Sequence, residues 1–185
     1  MGIFGLVLGL LCFPLSASAR VHVASVPSKV LVKNQTLVFN GSGVRSIFFM
    51  DIYRVALYLP QASSTADFMM QNIRPVQLRM VFLRGGAGRK MLARGWRKGF
   101  EHNQSVASMH VLEARLQEFS NFFGDVEQGD VFTFDFLVNG NTKVYVNGKI
   151  QGVIHGTDFQ QALLAIWLGK RPVGDKLKAE LLGRE

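Results

Sequence analysis

The chain has 185 residues, enough for one domain with a substantial apolar core. Its 48% hydrophobic and 18% charged content excludes a disordered chain. A formal net charge of +8 admits anionic membrane surfaces, nucleic acid or acidic ligands as partners and carries no information about fold.

Residues 1–19 read as a removable export signal. A continuous apolar run from Ile3 to Leu15 is followed by Ala17-Ser18-Ala19, the small-x-small pattern of a signal-peptidase site. The n-region has no Lys or Arg, so a short membrane anchor is the alternative, although the run is too short to span comfortably. The expected location is therefore outside the cytoplasm, the periplasm in a Gram-negative source. Cys12 is the only cysteine, and Gly9-Leu10-Leu11-Cys12 matches a lipoprotein cleavage box poorly. A mature chain from Arg20 has no cysteine for a disulfide, a thiol nucleophile or a thiolate metal site. No repeat or linker divides residues 20–185, which read as one domain.

The first part is β-rich. Val21–Val26, Lys29–Val32 and Thr36–Phe39 are short β-branched runs, and Asn40-Gly41 is a hairpin dipeptide leading into the next strand. Gly43–Phe49 and Ile52–Leu59 then form a strand pair with almost no turn between them, closed by Pro60. Arg45 lies in this apolar pair, on one strand face with Ile47 and Phe49. A buried arginine is costly unless paired or wet, so Arg45 is either an ion-pair partner of a carboxylate such as Asp51 or the anchor of an anionic ligand.

Ser63–Gln71 reads as a short helix capped by Ser64 or Thr65, and Val76–Leu83 as a strand. Arg89–His102 is a helix with apolar Met91, Leu92, Trp96 and Phe100, interrupted by Gly95 and Gly99. Ser105–Phe123 is a second helix, striped by Val106, Met109, Leu112, Leu116, Phe119 and Phe123. Val131–Val138, Thr142–Val146 and Lys149–Ile154 form a meander with turns at Asn139-Gly140 and Asn147-Gly148. Thr157-Asp158-Phe159-Gln160 has the form of a capping box for the helix Asp158–Leu168, and Asp175–Leu182 closes the chain as a short helix. Strands, helices, strands, helices in this order predict an α+β fold with a mostly antiparallel sheet.

The chemical motifs are sparse. His22, His102, His110 and His155 are scattered without metal-ligand spacing, so no metal and no cofactor is expected. Gly85-Gly86-Ala87-Gly88 lacks phosphate-loop spacing, there is no GxSxG motif, and no carboxylate pair stands out. Arg74, Arg79, Arg84, Arg89 and Arg94 recur every five residues, joined by Lys90, Arg97 and Lys98. That run reads as a solvated basic surface or as a footprint for anionic lipid. The export signal and the lack of a groove-reading motif argue against nucleic acid. What remains is an apolar interior with one arginine, aromatic residues and a few amides, the composition of a pocket for a hydrophobic molecule with an anionic end.

GSGVRSIFFMDIYRVALYLP resembles the arginine-bearing strand pair of the chalcone isomerase superfamily. Gly95–Asn103 resembles its active-site helix, and NGKIQGVIHGTDFQQALLAIWLGKRPVGDKLKAELLG its last strand and C-terminal helices. The likeness is greatest to exported bacterial chalcone isomerase-like proteins. It implies an antiparallel sheet against helices with a cleft between. In the isomerases, an arginine supports a phenolate nucleophile while a threonine, a tyrosine and an asparagine shape a water network. A plant branch holds fatty acids in the same cleft through the arginine and a tyrosine.

By this resemblance Arg45 takes the place of the arginine and Asn103 that of the asparagine. The threonine position falls on Tyr53 and the tyrosine position on Trp96, which has no hydroxyl. Three readings follow. In the first, the protein binds a fatty acid or similar hydrophobic anion. Arg45 clamps the carboxylate with Tyr53 or Tyr58, and Ile47, Phe49, Trp96, Phe100 and Asn103 line the site. In the second, it is an intramolecular lyase closing a phenolic enone, with Arg45 and Asn103 as catalytic residues. In the third, it is an envelope protein whose basic surface meets an anionic membrane.

Overall fold

The computed structural model describes residues 26–67 and 75–184. Among them, seven strands form one sheet in sequence order, every neighbour antiparallel: β1 (Lys29–Val32), β2 (Gln35–Ile47), β3 (Met50–Leu59), β4 (Val76–Phe82), β5 (Val131–Phe136), β6 (Thr142–Val146) and β7 (Lys149–Ile154). The sheet curls into a half-barrel. Four helices accompany it: α1 (Arg89–Asn103), α2 (Val106–Asn121), α3 (Thr157–Leu168) and α4 (Asp175–Leu181). The α+β class and antiparallel sheet are as the order of elements predicts, and the layering is as the resemblance implies.

Strand alternation separates two apolar clusters. Val55, Leu57, Leu78, Met80, Phe82, Phe132, Phe134 and Val144 turn one face of the sheet towards the helices, and with Trp96, Phe100, Leu116, Phe119, Phe159 and Trp167 they make the main core. Ala56, Tyr58, Leu37 and Val32 form a smaller cluster on the other face, with Val26 and Val30 packed on it. Alternation alone assigns these sides, because a one-residue slip would reverse them.

β2 departs from the sequence reading. The Asn40-Gly41 turn does not form, and one strand of 13 residues runs through it. Instead, the pairing shifts between Phe39 and Gly41, leaving Asn40 as a bulge. The bulge reverses the phase of β2: Phe39 pairs with Tyr58 on the outer face, while Gly41 pairs with Leu57 on the helix face. The reason for glycine here is packing. A Cβ on Gly41 would overlap the carbonyl oxygen of Glu180, and one on Gly43 would lie 2.7 Å from Leu177 Cδ1. Both glycines let α4 lie directly on β2. Asn40 secures the contact, its Nδ2 donating to Leu181 O at 2.7 Å and to Ser63 O at 3.0 Å.

Two other turns match expectation. Asn147 and Gly148 both take positive φ, as a tight hairpin demands, and Gly140 does the same in the β5–β6 turn. The capping box does not form. α3 starts at Thr157 with Gly156 before it and no side-chain cap. The buried Gln160 instead donates through Nε2 to Leu137 O and Asn141 O, fixing α3 to the β5–β6 turn. Residues 21–25 of the first expected strand and residues 68–71 of the expected helix at Ser63–Gln71 lie outside the described residues. Residues 63–67 are irregular, with Thr65 N donating to Ser63 Oγ.

Candidate functional site

Arg45 is on the helix face of β2, directly opposite Tyr53 of β3, and is half-buried. Past Arg45 the pairing shifts again, so that Ile52 is the extra residue and Ser46 faces Asp51. Asp51 is occupied elsewhere, accepting from Ser46 Oγ at 2.6 Å. Among the described residues, no carboxylate comes within salt-bridge distance of Arg45, and it has no side-chain hydrogen bond. Of the two roles open to it from the sequence, pairing with Asp51 is not the one the structure takes.

The other wall comes from the loop between α3 and α4. A Cβ on Gly174 would lie 3.7 Å from Arg45 Nη1, so the guanidinium lies against this loop. The loop is pinned at several points. Val173 N donates to Ile166 O, and Lys178 Nζ donates to Gly169 O at 2.8 Å. Asn103, at the end of α1, accepts from Arg171 N at 3.0 Å and donates to Arg171 O at 2.9 Å and Gly99 O at 3.3 Å. Its amide is therefore engaged on both sides, and it acts here as a clamp on the loop. It also lines a surface groove of about 910 Å³ between the end of α1, the start of α2 and α3, a groove that includes neither Arg45 nor Tyr53.

Tyr53 carries the polar line inward. Its hydroxyl accepts from Trp167 Nε1 at 3.3 Å. Burial pushes its phenol up to about 12, partly offset by the Trp167 hydrogen bond and the nearby Arg45 charge. The hydroxyl thus keeps its proton at neutral pH and retains it for donation to another group. Sequence does not single out Trp167; it lies 114 positions from Tyr53, inside an apolar helix that reads as plain core.

The remaining expected residues separate. Ile47 shares the Arg45 face but is exposed, and Phe49 is fully exposed at the hairpin tip, lining nothing. Tyr58 is on the opposite face of the sheet, beside Phe39 and near Arg79, with its buried hydroxyl unpartnered among the described residues. Trp96 and Phe100 are buried in closed core rather than along an open cleft. The Trp96 ring packs against Phe119 at 5.3 Å, Phe123 at 5.5 Å, Phe134 at 6.0 Å and Trp167 at 6.1 Å between ring centroids. Its Nε1 is buried without a partner among the described residues, which costs about 1–3 kcal/mol. Phe100 packs on Phe159 at 5.4 Å. Among the described residues there is no group of three or more metal-capable side chains, and no helix is long and apolar enough to cross a membrane.

A family model described as chalcone isomerase-like matches residues 18–183. The chain belongs to that family. No curated protein matches it at a significant level. The chalcone isomerase-like fold is also that of a solved fatty-acid binding protein from Arabidopsis thaliana, similar with a TM-score of 0.67 at 12% identity, over 85% of this chain and 90% of the other.

Within this fold the basic run is dispersed. Arg79 pairs across β4 and β5 with Thr133 on the outer face of the sheet. Arg84 is in the β4–α1 loop, Arg89 donates to Asn121, and Arg97 is paired with Glu113 and Glu101. The α1 N-terminus is capped from a distance, Arg89 N donating to Asp125 Oδ1 at 2.8 Å. No single basic stripe results among the described residues, and Arg74 lies outside them.

Proposed function

We propose that this chalcone isomerase-like protein holds a fatty acid or similar hydrophobic anion, with Arg45 and Tyr53 gripping the anionic group. The observation that carries the reading is a half-buried guanidinium with no carboxylate partner among the described residues, directly opposite a phenol that keeps its proton. A carboxylate placed between them would receive a bidentate charge-assisted contact from Arg45 and an O–H from Tyr53. The fatty-acid binding of the structural relative is consistent with this chemistry.

The aromatic rings below the sheet are closely packed, so the acyl chain would lie outside them, on the side where Arg45 meets the α3–α4 loop at Gly174. Isomerase chemistry is the weaker reading. Trp96 supplies no hydroxyl where the family has its tyrosine, and Asn103 is committed to the Arg171 loop. We also propose export with processing before Arg20, a reading carried by the apolar run Ile3–Leu15 and the small-x-small pattern Ala17-Ser18-Ala19. N-terminal sequencing of the released protein tests that processing.

Native mass spectrometry with organic extraction tests the ligand. A stoichiometric fatty acid on the wild type, bound at least tenfold more weakly by Arg45→Ala with an unchanged melting profile, is the expected result. Tenfold is about 1.4 kcal/mol, just under the lower bound of about 1.5–3 kcal/mol for a hydrogen bond to a charged group. Wild-type protein that is empty and takes up no added oleate would overturn the reading, and turnover of a hydroxychalcone would replace it with the isomerase.

A further inference from the structure

The turn between β2 and β3 consists of Phe48 and Phe49, and both take positive φ, 46° and 65°. This conformation suits Asn and Gly, as the Asn147-Gly148 turn of the same chain illustrates. For a bulky side chain it is strained, because the Cβ crowds the following carbonyl oxygen. Neither ring recovers that cost by packing. Phe48 is 87% exposed, Phe49 is fully exposed, and Ile47 and Met50 on either side are also exposed. Four consecutive exposed apolar residues on a strained turn have no folding rationale.

We propose that this hairpin tip, Ile47 to Met50, is a membrane-insertion finger that seats in an anionic phospholipid bilayer. The charges at its base fit that surface. Arg45 and Arg54 flank the tip on β2 and β3. Exposed Arg84 is held beside it, since Leu83 N donates to Ile52 O at 2.9 Å and Arg84 lines one depression with Asp51. Two of the nearby acids are engaged locally, Asp51 accepting from Ser46 and Asp130 from Asn147 Nδ2 and Glu127 N, which leaves Glu127, beside Gly85, as the acid facing the three arginines. The dimension fits as well. Three residue steps take the chain from Arg45 to Phe48, about 10 Å at a rise of ~3.3 Å per residue. Amphipathic elements bury their apolar side about 5–10 Å into the headgroup and acyl boundary. Inserted rings therefore put the arginines at the level of the lipid phosphates.

A second copy of this chain fits less well. Two phenylalanine rings present about 300–500 Å², against about 800 Å² per partner in a stable interface. The finger is also convex, whereas a bilayer imposes no matching shape. With Arg45 at headgroup level, the finger would also load the anion site from the bilayer, a consequence that rests on the function proposed above; the insertion itself does not.

Two variants test the finger, each compared with wild type in the same processed form on vesicles of phosphatidylglycerol and phosphatidylcholine. Phe48→Asn/Phe49→Gly installs the preferred residues for this turn, so its melting temperature is equal or higher while its vesicle partitioning falls at least tenfold. Phe49→Trp reports directly. Its emission, after subtraction of Trp96 and Trp167, shifts to the blue on vesicles and is quenched by lipids brominated high in the acyl chain. Unchanged partitioning of the first variant, or an unshifted Trp emission on vesicle-bound protein, overturns the proposal. So does lipid-free self-association that the first variant abolishes, which would assign the finger to a second copy. Tyr53→Phe, which touches the anion site and not the finger, should retain the emission shift when built into Phe49→Trp, so loss of ligand and loss of insertion are read separately.

Discussion

Tyr53 has two hydrogen-bonding tasks, and they can be separated. Its oxygen accepts from Trp167 Nε1, and its proton, held by burial, remains for a ligand. Tyr53→Phe deletes both and leaves the Trp167 N–H buried beside an already orphaned Trp96 Nε1. The expected cost is about 1–3 kcal/mol of stability, seen in urea melts, with a drop in fatty-acid affinity of about tenfold or more. Trp167→Phe is the control: it removes the orphan donor and leaves the phenol, so affinity should survive. Equal affinity losses in both variants would make Tyr53 a packing residue. Arg45 is legible in the sequence because a charge in an apolar strand demands an explanation. Tyr58 is also legible as misplaced, since an odd separation of five from Tyr53 puts it on the other strand face. Trp167 is not, because nothing local marks a partner 114 residues away.

At the level of elements, the chain contains three Asn-Gly pairs, and two of them turn. The third, Asn40-Gly41, lies in an extended strand, because its glycine answers to α4 rather than to φ. The dipeptide is a local signal whose cause is tertiary. The same contrast separates two glycines in α1 that read alike. A Cβ on Gly99 would lie 2.9 Å from Ile166 Cγ1, where α1 crosses α3, while a Cβ on Gly95 meets nothing within 4 Å. Gly95→Ala should therefore raise stability by about 1 kcal/mol through helix propensity. Gly41→Ala should lower it by about 1–3 kcal/mol, the range for overpacking, because α4 must move off β2. Urea midpoints measure both. A neutral Gly41→Ala would mean that α4 is loosely seated, and the wall formed by the α3–α4 loop against Arg45 would loosen with it.

For the molecule as a whole, the order of strands and helices is enough for the α+β class, whereas the meander order is not legible from it. Two helices intervene between β4 and β5, yet these strands are neighbours, with Val76 opposite Phe136. Only the closing of the core beneath the sheet brings them together. The helical layer is then fastened to itself at the surface by ion pairs. Arg115 makes two bonds to Asp158, at 2.7 and 2.6 Å, and a third to His155 O at 2.9 Å, tying α2 to the start of α3. Arg97 Nη1 reaches Glu113 at 2.9 Å, tying α1 to α2. The hydrogen bonds from these arginines hold both carboxyls below their ordinary values of 3.8 and 4.5. Stability from such groups is present above the unfolded value and lost as pH falls through the folded one. Asp135 acts in the opposite sense. Burial raises its carboxyl despite the hydrogen bond from Gln77, so the folded protein binds this proton more tightly and gains on acidification. Among the carboxyls shifted by the fold, two surface staples thus steepen the acid limb and one buried acid offsets them. Asp158→Asn should flatten that limb below about pH 4 and reduce the salt sensitivity of the melting temperature, since exposed pairs are screened. Asp135→Asn should steepen it by removing the compensating proton uptake. Thermal melts from about pH 2.5 to 7 distinguish the two, and identical slopes in both variants would place the acid response outside the helical layer and the sheet face alike.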